Sequence, residues 1–177
     1  MKVAGFAGFS GSGKTTLVEG VIPALKRRGL RVSVVKHAHH DFDIDHPGKD
    51  THRHREAGAF EVVVASDRRL ALMREFEQPS RLTVHQLLAE LWEGVDWVLV
   101  EGFKDSDLPK LEVWRAASGQ PALYPDDDFI VAIATDSPDQ LPMATLRPVL
   151  DLNSPPDVAQ WLIDNGHRFD YHREMYT

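Results

Sequence analysis

The stretch that most constrains the fold runs from Gly8 to Thr15 and reads Gly-Phe-Ser-Gly-Ser-Gly-Lys-Thr. It matches the phosphate-binding pattern G-x-x-x-x-G-K-[ST] at all four fixed positions. A short, mostly apolar run at residues 2–7 precedes it, and apolar residues at helical spacing follow from Leu17 to Leu25. Because a strand before the glycine loop and a helix after it are the context that confirms this pattern, the sequence predicts a P-loop.

The chemistry of phosphate binding assigns roles to the residues of this loop. Glycines allow successive backbone N–H groups to point into one concavity, and the following helix adds its positive N-terminal end. We expect Lys14 to reach the β- and γ-phosphates of a nucleoside triphosphate, and the Thr15 hydroxyl to bind Mg²⁺. The backbone amides expected to hold the phosphates belong to Gly11, Ser12, Gly13, Lys14, Thr15 and Thr16.

The rest of the chain alternates between strand-like and helix-like segments, which predicts an α/β fold. We expect the P-loop NTPase fold, a mostly parallel, doubly wound sheet flanked by helices, with an antiparallel addition from residues 60–65 and 70–73. The helix after the P-loop should end near Arg28, with Gly29 as its cap, and another should begin at Thr83. Further strands are predicted at residues 31–36, 96–101, 110–115, 129–134 and 148–152, and a last helix at 154–165.

Composition is that of a soluble globular protein, with 42% hydrophobic and 27% charged residues in a chain of 177. This length predicts one domain, residues 1–166, followed by a polar tail at 167–177. The formal net charge of -7 argues against broad nucleic-acid binding. Cysteine is absent, which excludes disulfides and suits the cytoplasm, and no apolar run is long enough for a membrane helix.

A second site-bearing stretch is Asp96-Trp-Val-Leu-Val-Glu-Gly102, an apolar strand that ends in an acid. With a P-loop upstream, we expect Glu101 to hold Mg²⁺ directly or through water. The simpler alternative is a surface carboxylate, since many strands end in Glu. Just beyond, Lys104 and Lys110 can either meet an anionic ligand or lie in solvent.

Asp136 follows the near-continuously apolar strand predicted at residues 129–134. In guanine-specific P-loop proteins an aspartate in this region accepts hydrogen bonds from the N1–H and N2–H₂ groups of the base. Asp136 is therefore a candidate for guanine recognition, and a helix or turn cap is the alternative.

The segment from His37 to Gly58 contains six of the nine histidines, together with four aspartates. Its first half reads as a long polar loop after the second strand, and long loops in compact domains are usually functional or disordered. Three interpretations stay open at this point. The loop makes contacts to Mg²⁺ or substrate beside the P-loop, its histidines bind a transition metal, or it is a solvated polar loop.

Several of these stretches together resemble the molybdopterin-guanine dinucleotide biosynthesis protein B (MobB) family. The histidine-rich block followed by Pro-Gly-Lys-Asp, and then by Val-Glu-Gly-Phe-Lys, is far more specific than the P-loop alone. The resemblance extends over residues 3–165. Its motifs are Phe9-Ser-Gly-Ser-Gly-Lys-Thr-Thr-Leu17, Lys36-His-Ala-His-His-Asp-Phe-Asp-Ile-Asp45, Pro47-Gly-Lys-Asp50, Val98-Leu-Val-Glu-Gly-Phe-Lys104 and Ala132-Ile-Ala-Thr-Asp136.

The resemblance implies a homodimeric, GTP-binding accessory protein of molybdenum cofactor maturation, in which GMP is attached to molybdopterin. In that family the guanylyl transfer belongs to a partner, the nucleotidyltransferase MobA. Molybdopterin is then expected as a second, anionic ligand, received by Lys36, His39 and His40. Asp45 is a weaker candidate for orienting water or completing the metal shell. Hydrolysis is expected to be slow, since no arginine can be singled out as a finger acting in cis.

Other function classes remain open from the sequence. A small-molecule kinase can use the same P-loop, provided that it has an acceptor site with a general base. A metal-handling GTPase is suggested by the histidines, and a non-catalytic adapter would use GTP only as a structural ligand.

Overall fold

The computed structural model describes residues 1–38 and 42–176. These residues form two compact units, a larger one made of Met1–His37 and Thr83–Thr177, and a smaller one, Ala38–Leu82. The strands of the larger unit are β1 (Lys2–Ala7), β2 (Val32–Lys36), β5 (Trp97–Glu101), β6 (Lys110–Trp114), β7 (Ile130–Thr135) and β8 (Val149–Asp151). Its α-helices are α1 (Lys14–Lys26), α3 (Val84–Ala89) and α4 (Pro155–Asp164). The smaller unit contains α2 (Asp50–Glu56), β3 (Glu61–Ala65) and β4 (Leu70–Arg74).

The six strands of the larger unit form one sheet in the order β2-β5-β1-β6-β7-β8, and every neighbouring pair is parallel. The prediction of a mostly parallel sheet is confirmed. The first two strands of the chain are not neighbours, however, because β5 lies between them and pairs with both. All carboxyl ends of the strands therefore lie at one edge, where ligands bind in open α/β sheets.

The sheet is covered on both faces, as the doubly wound prediction requires. Along β5, Leu99 belongs to the apolar cluster that contains α1 and α4 residues. Its neighbours Val98 and Val100 belong to the opposite cluster, which contains Val84 and Leu88 of α3. Successive side chains of a strand point to opposite faces, so the apolar residues of this strand pack against helices on each side.

Helix boundaries follow the expected local signals with two differences. Helix α1 ends at Lys26, two residues before the predicted end, and Gly29 follows with a φ of 78°. Helix α3 has the predicted capping box, in which Thr83 accepts from the backbone N–H of Gln86. It ends at Ala89, so Trp92 lies beyond it and is 66% exposed.

The C-terminal segment, expected to be a polar tail, contains buried aromatic residues. Phe169 is fully buried and packs against Trp97 and Trp161. Asp170 forms an ion pair with Lys2 at 2.5 Å. The segment therefore packs on the sheet at least as far as Tyr171, whose backbone N–H donates to the carbonyl of Met1.

The smaller unit consists of helix α2 and an antiparallel hairpin of β3 and β4, which confirms the predicted antiparallel pair. Val63 and Leu72 are cross-strand partners in this hairpin, and both are exposed. Within the part of the chain that the structure describes, no helix is long and apolar enough to cross a membrane.

Candidate functional site

The predicted P-loop connects β1 to α1 and has the backbone conformation that its glycines permit. Gly13 lies in the left-handed region, with φ 96°, and the helix begins at the next residue. At Gly8, with φ 143°, an added Cβ would lie 2.4 Å from the carbonyl oxygen of Val113 on β6. Only glycine fits there, because the loop passes directly against the neighbouring strand.

The side chain of Ser12 in this loop is buried and polar, as expected for a loop that binds a polar ligand. The Ser12 hydroxyl is buried and has no hydrogen-bond partner among the described residues. A buried polar atom without a partner is costly, so its presence in a loop of phosphate-binding pattern is consistent with a ligand that completes it. Gly11, Thr15 and Thr16 are exposed at the same turn, which leaves this end of α1 accessible.

Lys14 extends back over the loop and donates a 2.7 Å hydrogen bond from Nζ to the carbonyl oxygen of Phe9. Burial lowers the pKa of Lys14, an effect that nearby Glu101 opposes and nearby Lys36 reinforces. The ammonium is thus held at the mouth of the glycine loop, in contact with backbone and close to a carboxylate. An anionic phosphate is the ligand that would best neutralise the charge of this ammonium.

Glu101 ends β5 at the carboxyl edge of the sheet, and its side chain is buried. The Thr15 hydroxyl donates to Oε1 of Glu101 at 2.6 Å. Lys36 donates to the same oxygen at 3.1 Å. A hydroxyl and a carboxylate in contact beside a phosphate-binding loop are the oxygen ligands that Mg²⁺ prefers, so the donor set fits the predicted metal.

The two lysines beyond Glu101 have different environments. Lys110 is 1% exposed and donates to the carbonyl oxygens of Lys104 and Ser106, at 2.8 and 2.6 Å. It also pairs with Asp127 at 2.7 Å, so Lys110 is a structural residue and not the ligand contact that was one of its two interpretations. Lys104 is exposed, and its ammonium lies 5.1 Å from the ring centroid of Phe9 in the P-loop.

Asp136 follows β7 and is held by neighbours within the larger unit. Its Oδ2 lies 2.7 Å from both Nε and Nη2 of Arg115. Its Oδ1 accepts from the Ser137 hydroxyl at 2.8 Å. The hydrogen bond from Arg115, and then the one from Ser137, hold the pKa of Asp136 below its ordinary value. The carboxylate is therefore ionised and oriented at neutral pH, although both its oxygens already accept hydrogen bonds.

The family model described as "Molybdopterin guanine dinucleotide synthesis protein B" matches residues 3–136, which include the P-loop, Glu101 and Asp136. The chain belongs to the MobB family. This membership confirms the resemblance of the motifs, and it assigns the protein a part in molybdopterin-guanine dinucleotide biosynthesis.

Curated relatives of this MobB chain agree over nearly its whole length. A relative from Haemophilus influenzae, named molybdopterin-guanine dinucleotide biosynthesis adapter protein, is 41% identical over 167 residues, which cover 93% of this chain and 89% of the relative. A relative of the same name from Escherichia coli is 39% identical over 161 residues, 90% of each chain.

Solved MobB structures have the same fold. The crystal structure of a MobB protein homolog from Bacillus stearothermophilus is 27% identical, with a TM-score of 0.69 over 94% of this chain and 99% of that one. Bacillus subtilis MobB is 22% identical and has a TM-score of 0.71 over 97% of this chain and 100% of that one, which supports the fold. The sheet and helices described above are consistent with the predicted P-loop NTPase fold.

The histidine-rich MobB segment is only partly described. His39 and His40 lie outside the described residues, so their predicted contacts to a cofactor stay predictions. Asp45 belongs to the smaller unit, where it accepts from Thr51 at 2.9 Å and pairs with Arg55 at 3.3 Å. Burial raises the pKa of Asp45, but hydrogen bonds from the His46 backbone, Thr51 and Arg55 outweigh it and lower the pKa. The predicted part of Asp45 in hydrolysis stays a prediction.

A transition-metal site is one of the three interpretations that the sequence leaves open for the histidines of this segment. Within residues 1–38 and 42–176, no group of three or more His, Asp or Glu side chains is arranged to hold a metal ion. The candidate Mg²⁺ contacts, Thr15 and Glu101, are two residues from different elements, and a phosphate and water would have to supply the rest of the shell.

Three contacts of the candidate site residues are not predictable from the sequence. For Arg115, which holds Asp136, the sequence predicts only the end of a strand. The contact between Lys36 and Glu101 was not foreseen, although both residues were candidates. The carbonyl of Phe9, which accepts from Lys14, carries no sequence signal at all. The first two depend on which strands are neighbours, and local periodicity does not contain that information.

Proposed function

We propose that this MobB-family chain binds GTP with Mg²⁺ at the P-loop and acts as an accessory protein to a guanylyltransferase. The observation that carries the proposal is the 2.6 Å contact between Thr15 and Glu101 beside Lys14. It brings a phosphate-binding lysine, a hydroxyl and a buried carboxylate to one edge of the sheet. The adapter names of the relatives support the accessory part.

Each residue of the site has a defined task in this proposal. Backbone amides from Gly11 to Thr16 hold the phosphates, and Lys14 exchanges the Phe9 carbonyl for a phosphate oxygen. Thr15 and Glu101 hold Mg²⁺, which supplies charge neutralisation when it is bound. Lys104, exposed beside Phe9, lies where it can approach the anionic ligand.

We infer slow hydrolysis for this site. Rapid P-loop GTPases rely on an arginine to stabilise the transition state, whereas the cations that the structure places near Thr15 and Glu101 are the lysines Lys14 and Lys36. The nucleotide would then be held and presented to a partner, a MobA-type guanylyltransferase, and molybdopterin would be the second ligand. We propose that both events take place in the cytoplasm.

We also propose a homodimer, as the resemblance implies. The exposed pair Val63 and Leu72 on the hairpin of the smaller unit supports it, because exposed apolar side chains in a strand pair are typical of an interaction surface. Sedimentation equilibrium of the wild type and of a Val63→Lys variant tests this. A wild type that is monomeric at all concentrations would contradict the proposal.

The guanine preference is assigned to Asp136. Replacement Asp136→Asn keeps the shape of the side chain but replaces one carboxylate oxygen, which would accept a hydrogen bond from guanine, with an amide N–H₂ group. The ratio of GTP affinity to ATP affinity should therefore fall about tenfold. An Asp151→Asn variant, altered at the exposed end of β8, serves as the control.

The decisive experiment is a calorimetric titration of GTP against ATP, with and without Mg²⁺, followed by addition of molybdopterin. The proposal expects GTP to bind more tightly than ATP, Mg²⁺ to strengthen the binding, and molybdopterin to bind to the GTP complex. Absence of GTP binding in the presence of Mg²⁺ would overturn it. Transfer of phosphate from ATP to a metabolite would favour the kinase alternative instead.

A further inference from the structure

The carboxylate oxygen Oε1 of Glu101 accepts hydrogen bonds from two other side chains. It accepts from Thr15 at 2.6 Å and from the Lys36 ammonium at 3.1 Å. Glu101 itself is buried, while the side chain of Lys36 is 55% exposed. The oxygen that would face Mg²⁺ in the proposed function is therefore already paired with an ammonium of the protein.

The sheet explains why Lys36 reaches this position. Lys36 and Glu101 are register partners on the parallel strands β2 and β5, and both end their strands at the carboxyl edge. Side chains of directly adjacent residues on neighbouring strands point to the same face, so the ammonium and the carboxylate meet. The contact is thus built into the order of the strands.

An ammonium and a divalent cation cannot share this oxygen at low cost. Mg²⁺ binds oxygen at about 2.0–2.1 Å with near-octahedral geometry, which would place it within a few ångströms of the Lys36 nitrogen. Like charges at that separation repel strongly in a partly buried site. The ammonium can leave, because its side chain is exposed and solvent compensates the lost ion pair.

We propose that Lys36 competes with the divalent cation for Oε1 of Glu101, and so sets the Mg²⁺ concentration at which nucleotide binding tightens. This rests on the proposed function, in which Thr15 and Glu101 hold the metal of a bound GTP. Lys36 is a positioning residue here, since it acts through Glu101. Its positive charge also lies close enough to Lys14 to influence it, so its displacement alters the field at the P-loop.

The test measures GTP affinity by calorimetry over a series of free Mg²⁺ concentrations, beginning in chelator. For Lys36→Met, which keeps the length of the side chain and removes its charge, the Mg²⁺ concentration at half-maximal tightening should fall about tenfold. Lys36→Arg, which keeps the charge, should restore a midpoint close to that of the wild type. Lys26→Met removes a lysine at the exposed end of α1 and should leave the midpoint unchanged.

A double-mutant cycle shows whether Glu101 is the shared partner. In a Glu101→Gln background, the midpoint of the small Mg²⁺ effect that remains should shift less than twofold on Lys36→Met, because the carboxylate for which the two cations compete is gone. An equal shift in both backgrounds would overturn the inference. So would an unchanged midpoint in Lys36→Met, with GTP binding itself intact. A wild type that binds no GTP would overturn the proposed function and this inference with it.

Discussion

Arg115 and Asp136 are joined at the carboxyl ends of neighbouring strands, with both Nε and Nη2 of Arg115 2.7 Å from one oxygen of Asp136. The residues before them, Trp114 and Thr135, are register partners on β6 and β7. Parallel pairing therefore places the guanidinium beside the carboxylate, although 21 positions of sequence separate them.

Replacement Arg115→Met should make the stability of the larger unit less dependent on pH in the acid range. In the wild type the pKa of Asp136 is below its ordinary value, so the ionised carboxylate stabilises the fold above about pH 4, and this contribution is lost as the pH falls further. Without Arg115, the pKa of Asp136 should rise towards its ordinary value. Carbon NMR titration of the Asp136 carboxyl measures this, and an unchanged pKa would contradict the assigned cause.

Replacement Lys14→Ala should weaken GTP binding about a hundredfold, the effect of losing a charged hydrogen-bond donor to phosphate. Calorimetry with GTP and Mg²⁺ measures the change. Lys26→Ala, at the far end of the same helix, is the matched control and should bind as the wild type does. Normal affinity in Lys14→Ala would refute the P-loop assignment.

Replacement Glu101→Gln should remove most of the strengthening of GTP binding by Mg²⁺, while binding in chelator should change much less. A neutral amide oxygen binds Mg²⁺ far more weakly than a carboxylate does. Thr15→Ser, which keeps the hydroxyl that contacts Glu101, should retain the Mg²⁺ effect, and Thr15→Val should reduce it. An undiminished Mg²⁺ effect in Glu101→Gln would show that Glu101 is not a ligand of the metal.

Replacement Gly8→Ala should destabilise the protein by about 2–4 kcal/mol, because its methyl group collides with backbone in a conformation that disfavours L-residues. The clash is the 2.4 Å approach to the Val113 carbonyl. Gly119→Ala is the matched comparison, since it has φ 63° but no heavy atom within 4 Å of an added Cβ. Its cost should be only about 1 kcal/mol. Urea unfolding of both variants distinguishes the two effects, and equal losses would refute the clash.

Replacement Lys110→Met should lower the free energy of unfolding by about 3–5 kcal/mol, since it leaves Asp127 and two carbonyl oxygens without a buried cation. Lys104→Met, at an exposed position, should change it by less than about 0.5 kcal/mol. Thermal or urea denaturation measures both. A small loss in Lys110→Met would show that water replaces the ammonium.

The sequence by itself determined the local elements and the residue types of the site. A glycine loop between a strand and a helix, a strand ending in Glu101 and a capping box at Thr83 each depend on neighbours a few positions away, and all three have the predicted structure. The MobB motifs were recognisable for the same reason, because they are short runs of adjacent residues.

Only the tertiary structure decided which of these residues meet. The order β2-β5-β1-β6-β7-β8 places Lys36 beside Glu101, Arg115 beside Asp136 and the Lys110 ammonium in a buried position. The neighbour of a parallel strand is determined by long crossover connections and by packing on both faces of the sheet. Neither of these determinants produces a periodic pattern within the strand's own sequence. For that reason, the sequence left Lys110 as either a ligand contact or a solvated lysine, and it did not predict the Lys36 side chain at Glu101.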